Sequence, residues 1–425
     1  RRIWLDRGMI WEYRSSGIQQ TEVLEDLDGD GAPEIVNNDL RRLVVFSGAT
    51  GEVLFERPSV DANASNLRQT DLGGTVGPVL ITYVQRGSTP GQAGHLEVVV
   101  YRMHSLREQL ASQHASAVRV RGRPPDAHIA WRGPELQDAL PRNCSLCVLQ
   151  DLNGDGVRDL AVADRYAKVG GLLGSGTVHV VSGLDGTAIR DYSGMAAASQ
   201  SFGSALAAAD VNGDGNADLI IGIPGRAAGA GGIQCVSGVD GSVLQEVNGA
   251  AGTGFGGSIT SAGDQNGDGR EDLFVGALSD DSRRGRVHVI SGATGAVIRS
   301  ISTDVSLSSF GAALARLSDV DGDGLPDVAI SAPGFRAPSG NQIGRVVIHG
   351  SATGAVLASL VGNEAVVFNQ LSYSMVAVPD TNGDGFIDLM VGSYNGGVAK
   401  LLSGFDLSEL KDLSMQGLPV YRPLV

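Results

Sequence analysis

Six stretches of this 425-residue chain place oxygen-bearing side chains at positions 1, 3, 5 and 9 of a nine-residue loop, with Gly at positions 4 and 6. The sets are Asp26, Asp28, Asp30 and Glu34; Asp151, Asn153, Asp155 and Asp159; Asp210, Asn212, Asp214 and Asp218; Asp264, Asn266, Asp268 and Asp272; Asp319, Asp321, Asp323 and Asp327; and Asp380, Asn382, Asp384 and Asp388. Carboxylate and amide oxygens gathered by one short loop suit a hard cation such as calcium, and the glycines let the backbone curl tightly enough for them to converge. One acidic, Gly-rich turn alone is as often a metal-free Asx turn, but six copies in register favour the cage. A helix-flanked calcium loop needs a bidentate Glu at position 12. That position here holds Asn37, Val162, Ile221, Val275, Ile330 and Val391, within strand formers such as Leu219-Ile-Ile221 and Leu389-Met-Val391. The loop is therefore expected to join two strands, with position 9 closing the site and the carbonyl of position 7 adding a ligand.

The strands around the loops recur as well. A Gly-containing hairpin returns at Leu43–Leu54, Val178–Gly186, Ile233–Gly241, Val287–Gly295 and Val346–Gly354. With one strand entering the acidic loop and one leaving it, each repeat has four strands. Loop starts lie 59, 54, 55 and 61 residues apart from Asp151 to Asp380, but 125 apart between Asp26 and Asp151. A unit without a metal site fills that gap: Asp71 is the only ligand kept in the segment Asp71–Val79, which leads into the strand Leu80–Val84. This second unit is expected to carry an insertion at about 102–142, with a short helix at Ser105–Leu110 and a locally basic composition that includes Arg119, Arg121 and Arg123. A solvated excursion is the preferred reading of it, against an arm for acidic ligands. Seven four-stranded units at this period predict an all-β, seven-bladed β-propeller forming a single domain over residues 1–425, with the calcium loops between the first and second strands of the blades. Both termini offer strands for closing the ring, Met9–Tyr13 and Val398–Leu413, which leaves an eighth blade open.

Composition agrees with that plan. The 61 glycines show no collagen-like period and fit many tight turns. Of the 47 acidic residues, twenty occupy the ligand positions of the six loops, and six divalent cations would bring the formal charge from −15 to −3. The acidity is thus explained by the loops, and nucleic acid is not among the expected partners. Cys144, Cys147 and Cys235 do not fix a redox compartment; the first two are read as buried thiols of one strand rather than a redox or metal pair. No segment is apolar and long enough to span a membrane, and the opening Arg1-Arg2-Ile3-Trp4 does not read as a signal peptide. The missing initiator Met suggests a processed or excised chain. Low-affinity calcium cages work where calcium is plentiful, which points to an extracellular, cell-surface or periplasmic setting.

Phe202-Gly203, Phe255-Gly256 and Phe310-Gly311 precede three of the loops, and Gly222-Ile-Pro224, Gly276-Ala277 and Ser331-Ala332-Pro333 follow them. In this the chain resembles the FG-GAP repeat of integrin alpha-subunit propellers and their bacterial relatives. Leu371-Ser372 departs from the Phe-Gly pattern, and Glu34 stands where the family has Asp. The resemblance implies that calcium is structural, that the six residue sets above are its ligands, and that the loops lie on one face of a disc. It places partners, an extracellular protein or a polysaccharide, on the opposite face. The candidate contacts there are Arg165, Tyr166, Arg226, Arg283, Arg284, Arg336 and Tyr394, residue types suited to recognition although such side chains are often merely solvated.

Nucleophile-elbow, P-loop and zinc-helix patterns are absent from the sequence. His179 and His288 occupy equivalent places in two hairpins and are expected to pack or face solvent. The favoured function is a calcium-binding, extracytoplasmic binding or adhesion module. The alternative is a calcium-dependent polysaccharide lyase on the same scaffold, using calcium to neutralise a uronate. Six repeats of one loop also predict six sites that load independently.

Overall fold

The structure is a computed structural model; it describes residues 145–412, apart from 198, 304, 306–307, 364–370, 373 and 394–398, together with the backbone of the strands before residue 145. The chain is all-β among these residues except for two single helical turns, Arg226–Gly229 and Asp280–Arg283. Two compact units divide it, Ile10–Gly203, and Arg1–Met9 with Ser204–Val425.

Near the N-terminus β1 (Arg2–Leu5) pairs with β2 (Gly8–Glu12). The first unit then holds three four-stranded antiparallel sheets. They are β3 (Gln20–Val23), β4 (Ile35–Asp39), β5 (Arg42–Phe46), β6 (Val53–Pro58); β7 (Ser65–Asp71), β8 (Pro78–Arg86), β9 (His95–Arg102), β10 (Ile129–Leu136); and β11 (Leu146–Val148), β12 (Leu160–Asp164), β13 (Thr177–Val181), β14 (Ala188–Ser193). The second unit holds four: β15 (Leu206–Ala209), β16 (Asp218–Gly222), β17 (Gly232–Val236), β18 (Val243–Asn248); β19 (Phe255–Gly263), β20 (Asp272–Ala277), β21 (Arg286–Ile290), β22 (Val297–Ser302); β23 (Leu314–Arg316), β24 (Val328–Ala332), β25 (Arg345–His349), β26 (Val356–Val361); and β27 (Ser374–Val378), β28 (Asp388–Gly392), β29 (Ala399–Leu402), β30 (Glu409–Asp412). Each sheet pairs its strands in chain order, so neighbours in sequence are neighbours in space. This architecture is consistent with a propeller of FG-GAP blades. The last sheet takes all four of its strands from residues 374–412.

Burial explains the strand sequences. The second strands β12, β16, β20 and β24 are buried along their whole length and read as continuous apolar runs. The fourth strands β14, β18 and β26 alternate or lie largely exposed. In the second unit successive sheets share cores: Ile220, Ile233 and Cys235 pack with Ile259, Leu273 and Val275. Phe274, Val287 and Phe310 pack with Val328 and Ile330, and Ala329, Val346 and Ile348 with Leu389, Val391 and Leu402. Each such side chain contributes about 1.5–3 kcal/mol on burial, so sheet-on-sheet packing dominates the fold energy.

The Phe-Gly motif has a definite job. Phe202, Phe255 and Phe310 are buried, and their backbone N–H groups donate to the carbonyls of Ser175, Ala230 and Arg284 at 3.3, 3.3 and 3.0 Å. The residue after each acceptor is a glycine, Gly176, Gly231 or Gly285, with φ of 85°, 79° and 85°. A Cβ on any of the three would lie 2.2 Å from the phenylalanine carbonyl. Each linker thus latches onto the end of the preceding sheet, where only glycine admits it. The departure at Leu371-Ser372 keeps the latch: Leu371 N–H donates to Ile343 at 3.0 Å beside Gly344, and Ser372 takes φ 71°.

β10 falls inside the stretch 102–142 expected to be an insertion, so part of that stretch is the fourth strand of its sheet. The helix expected at Ser105–Leu110 and Cys144 lie outside the described residues. Cys147 is half-buried on β11 and Cys235 is buried, where desolvation pushes its thiol up to about 12.

Candidate metal centre

The five acidic loops among the described residues connect the first strand of a sheet to the second, as in β15 to β16 across 210–218. The loop of Asp26, Asp28, Asp30 and Glu34 lies outside the described residues, between β3 and β4. One plan serves all five. At position 1, Asp210 accepts the N–H groups of Gly213, Asp214 and Gly215 at 2.7, 3.1 and 2.8 Å. Asp151, Asp264 and Asp319 repeat all three bonds, and Asp380 repeats those from Gly383 and Gly385. The glycines at positions 4 and 6 carry positive φ, for instance 76° at Gly213 and 82° at Gly215, which turns consecutive N–H groups toward one carboxylate. At position 5, Asp155, Asp214, Asp268, Asp323 and Asp384 each accept the N–H of position 7 at 2.8–2.9 Å.

Position 9 differs in kind. Asp159, Asp218, Asp272, Asp327 and Asp388 are all 0% exposed. One oxygen takes the N–H of position 2, as Leu152 to Asp159 at 2.7 Å and Gln265 to Asp272 at 2.7 Å. The other reaches the turn between the third and fourth strands, accepting from Gly183, Gly238, Gly292, Ser351 and Gly404 at 2.8–3.2 Å. This carboxylate therefore ties the loop to the outer hairpin of its own sheet. The Gly of the recurrent Ser-Gly in that turn is sterically required, since a Cβ at Gly183, Gly292 or Gly404 would lie 1.7–2.0 Å from the position-8 carbonyl of Arg158, Glu271 or Ile387, a signal present in the sequence whose purpose the sequence does not disclose. In the sixth sheet the order is reversed to Gly350-Ser351, and a Cβ at Gly350 would meet Asp321 Oδ2 at 2.5 Å.

Burial pushes the carboxyls of Asp159, Asp218, Asp272 and Asp327 up, in part offset by the main-chain donors and reinforced by their neighbouring aspartates. The exposed Asp214 and Asp384 are held down, chiefly by the amides of Asn212 and Asn382. Oxygens sharing one calcium ion at about 2.3–2.6 Å are at most about 5 Å apart. Among the described residues, Asp319, Asp321 and Asp327 offer oxygens all within 4.8 Å of one another, so this loop fits a hard divalent cation, and the same oxygen donors recur in the other four.

The candidate partner contacts lie at the other end of the sheets, between second and third strands. Arg165 stacks over Tyr166, its guanidinium carbon 4.7 Å from the ring centroid and its Nη2 donating to the hydroxyl at 2.6 Å. Arg226 is turned back onto Glu246 of β18 at 2.5 Å. Arg336 donates to the Gly340 carbonyl at 2.7 Å and is exposed, as is Arg283. Arg284 is half-buried, and its carbonyl receives the Phe310 latch; Tyr394 lies outside the described residues. Each sits on the connection of its own sheet. His179 pairs with Asp191 at 2.7 Å, and His288 stands against the Phe255 ring with Nδ1 2.8 Å from Ser300 Oγ.

Comparison with known proteins follows the same residues. A family model for the FG-GAP repeat matches residues 202–234 and 310–349, starting in both cases at the latching phenylalanine. Integrin alpha-4 of Xenopus laevis is 31% identical over 154 residues, 31% of this chain and 14% of that protein. Integrin alpha pat-2 of Caenorhabditis briggsae is 30% identical over 216 residues, 43% of this chain and 17% of that protein. Integrin alpha-V of Gallus gallus is 28% identical over 216 residues, 47% of this chain and 21% of that protein. The chain thus spans only 14% to 21% of the length of these relatives. By its repeats and these relatives, the chain is a member of an integrin-alpha-like FG-GAP repeat family.

Proposed function

We propose that this chain is a seven-bladed, calcium-stabilised β-propeller that works outside the cytosol as a binding or adhesion module for a protein partner. Positions 1, 3, 5 and 9 of the six acidic loops would hold the ions, those of 26–34 included. Calcium supplies positive charge to carboxylates that otherwise repel one another. The observation that carries this reading is the position-9 aspartate, wholly buried in all five described loops and, at Asp159, Asp218, Asp272 and Asp327, near enough to other loop aspartates to feel their charge. A buried anion without compensating charge is costly, and a divalent ion in the loop offsets that cost. Kinship with integrin alpha subunits supports protein recognition and an extracellular setting. The exposed Arg283 and Arg336 and the stacked Arg165–Tyr166 pair supply anchors of the type enriched in interfaces. No helix among the described residues is long and apolar enough to cross a membrane.

The test is retention, in millimolar calcium, on immobilised extracellular-matrix proteins and on a panel of acidic and neutral polysaccharides, with polysaccharide chain length followed in parallel. Retention by protein, lost in chelator and weakened by Arg283→Ala with Arg336→Ala, is the expected result. Shortened uronate chains with new ultraviolet absorbance would replace this reading with the lyase.

A further inference from the structure

In the second unit the acidic loops touch one another, and at the same place each time: position 8 of one loop meets the start of the loop before it. Glu271, position 8 of 264–272, brackets Asp210, position 1 of 210–218. Its backbone N–H donates to the Asp210 carbonyl at 2.9 Å, and its Oε2 accepts the Asp210 N–H at 3.0 Å. The preceding Arg270 lies along Gly213, where an added Cβ would sit 3.3 Å from its Cγ. The other carboxylate oxygen, Oε1, takes the Ser261 hydroxyl at 3.0 Å and Arg316 Nη1 at 3.2 Å. Glu271 is thereby fixed from the fifth and sixth sheets while it holds a residue of the fourth.

The next junctions repeat the placement with different chemistry. The Pro326 carbonyl, position 8 of 319–327, accepts Gln265 Nε2 at 3.1 Å, and Gln265 is position 2 of the preceding loop. Arg299 reinforces it, donating to the Gln265 carbonyl at 3.0 Å and to the Ser351 carbonyl at 2.5 Å. Ile387, position 8 of 380–388, donates its N–H to Ser318 Oγ at 3.2 Å, just ahead of Asp319. Of these three junctions, the Glu271 one grips both backbone groups of a residue that itself belongs to a candidate cation site.

Position 8 is peptide-bonded to the residue that carries the buried position-9 carboxylate. A cation that fixes position 9 also fixes position 8, and with it position 1 of the preceding loop. We propose that Glu271 couples the cation sites at 210–218 and 264–272, so that loading either one raises the affinity of the other. This rests on the calcium reading above. Coupling requires that one ion change the free energy of the state the other binds. A prefixed Asp210 meets that condition, because it has less freedom left to lose when its own ion arrives. The independence expected of identical repeats then fails at this junction first.

The experiment is hydrogen exchange of the amides at 213–215 and 267–269, followed as calcium is raised in the full chain. The variants are Asp268→Asn, which impairs the second site through an exposed ligand, Glu271→Ala, and the two together. In the unaltered chain both sets of amides should gain protection with calcium. Asp268→Asn should raise the calcium midpoint at 213–215 by about fivefold or more, the low end of typical coupling. In the Glu271→Ala background the same change should leave that midpoint in place. If Glu271→Ala does not fold, Arg316→Gln, which releases the carboxylate, replaces it, with a reduced shift expected. An unmoved midpoint on Asp268→Asn, or a shift undiminished without the Glu271 grip, overturns the proposal. Absence of calcium protection at both loops would instead overturn the calcium reading itself.

Discussion

Asp214 and Asp218 belong to one loop and answer to different forces. Asp218 is buried and accepts two main-chain N–H bonds, from Val211 and Gly238, at 3.1 and 3.0 Å. Removing it orphans the Gly238 N–H, at about 1–3 kcal/mol, and leaves the Val211 N–H only the Ala209 carbonyl at 3.1 Å. Asp218→Ala should therefore lower stability by about 2–3 kcal/mol even in chelator, and by more in calcium, where the ion site is lost as well, as read by urea midpoints. Asp214 faces solvent, and Asp214→Ala should shift the midpoint in calcium while leaving it unmoved in chelator. His349 gives a pH signature of its own. It is buried edge-on to Phe310 at 5.6 Å, with Nδ1 3.0 Å from the Gly354 carbonyl, and burial lowers its pKa below 6.5. Below 6.5 the unfolded chain then binds the proton more readily than the folded one, so stability falls as pH drops through that range. His349→Gln should flatten this part of the stability–pH profile, and an unchanged slope would show that the imidazole is not responsible. At this scale the acidic loops and their shared turn were legible because spacing and oxygen chemistry repeat six times. The second role of position 9 was not, because its partners, such as Gly238, lie twenty residues away across a sheet.

The repeating element depends on a glycine that no ligand touches. Gly285 has φ 85° and would place a Cβ 2.2 Å from the Phe310 carbonyl, a backbone neighbour that cannot move without breaking the latch. Gly215, at φ 82°, faces open space. Gly215→Ala should cost only the left-handed strain, about 1–2 kcal/mol. Gly285→Ala adds a clash and should cost distinctly more, about 3 kcal/mol. Equal denaturation midpoints for the two variants would refute the latch. Phe310→Ala should fall in the range of about 3–5 kcal/mol for a buried aromatic. The four-strand unit was readable because apolar runs and turn residues alternate at fixed spacing, and the acidic loops mark its first connection. The Phe-Gly pairs were visible as well. Their latch to Gly176, Gly231 and Gly285 was not, since it is a main-chain bond between segments about 25 residues apart and leaves little trace in side-chain chemistry. Leu371-Ser372 shows why: the backbone bond survives when both motif residues change.

For the whole molecule, twenty acidic residues at the ligand positions of six loops set the balance of charge, and in the second unit shared apolar cores between successive sheets set the balance of packing. The two meet at position 9, where a carboxylate lies in the interior of each described sheet that has a loop. The all-β class could be read from the strand and turn pattern, and the strand at Ile129–Leu136 hid in a stretch whose arginines resembled a surface excursion. Contacts between neighbouring loops, such as Glu271 with Asp210, arise only once sheets pack and so had no counterpart in the spacing. The central claim is that divalent cations hold these loops in the folded state, each filled site adding about 2.7 kcal/mol at a hundredfold excess over its dissociation constant. The most direct test is thermal unfolding of the chain in millimolar calcium and in excess chelator. The account predicts a melting temperature lower by about 10 °C or more in chelator, restored by added calcium. Superimposable melts in the two conditions would contradict it.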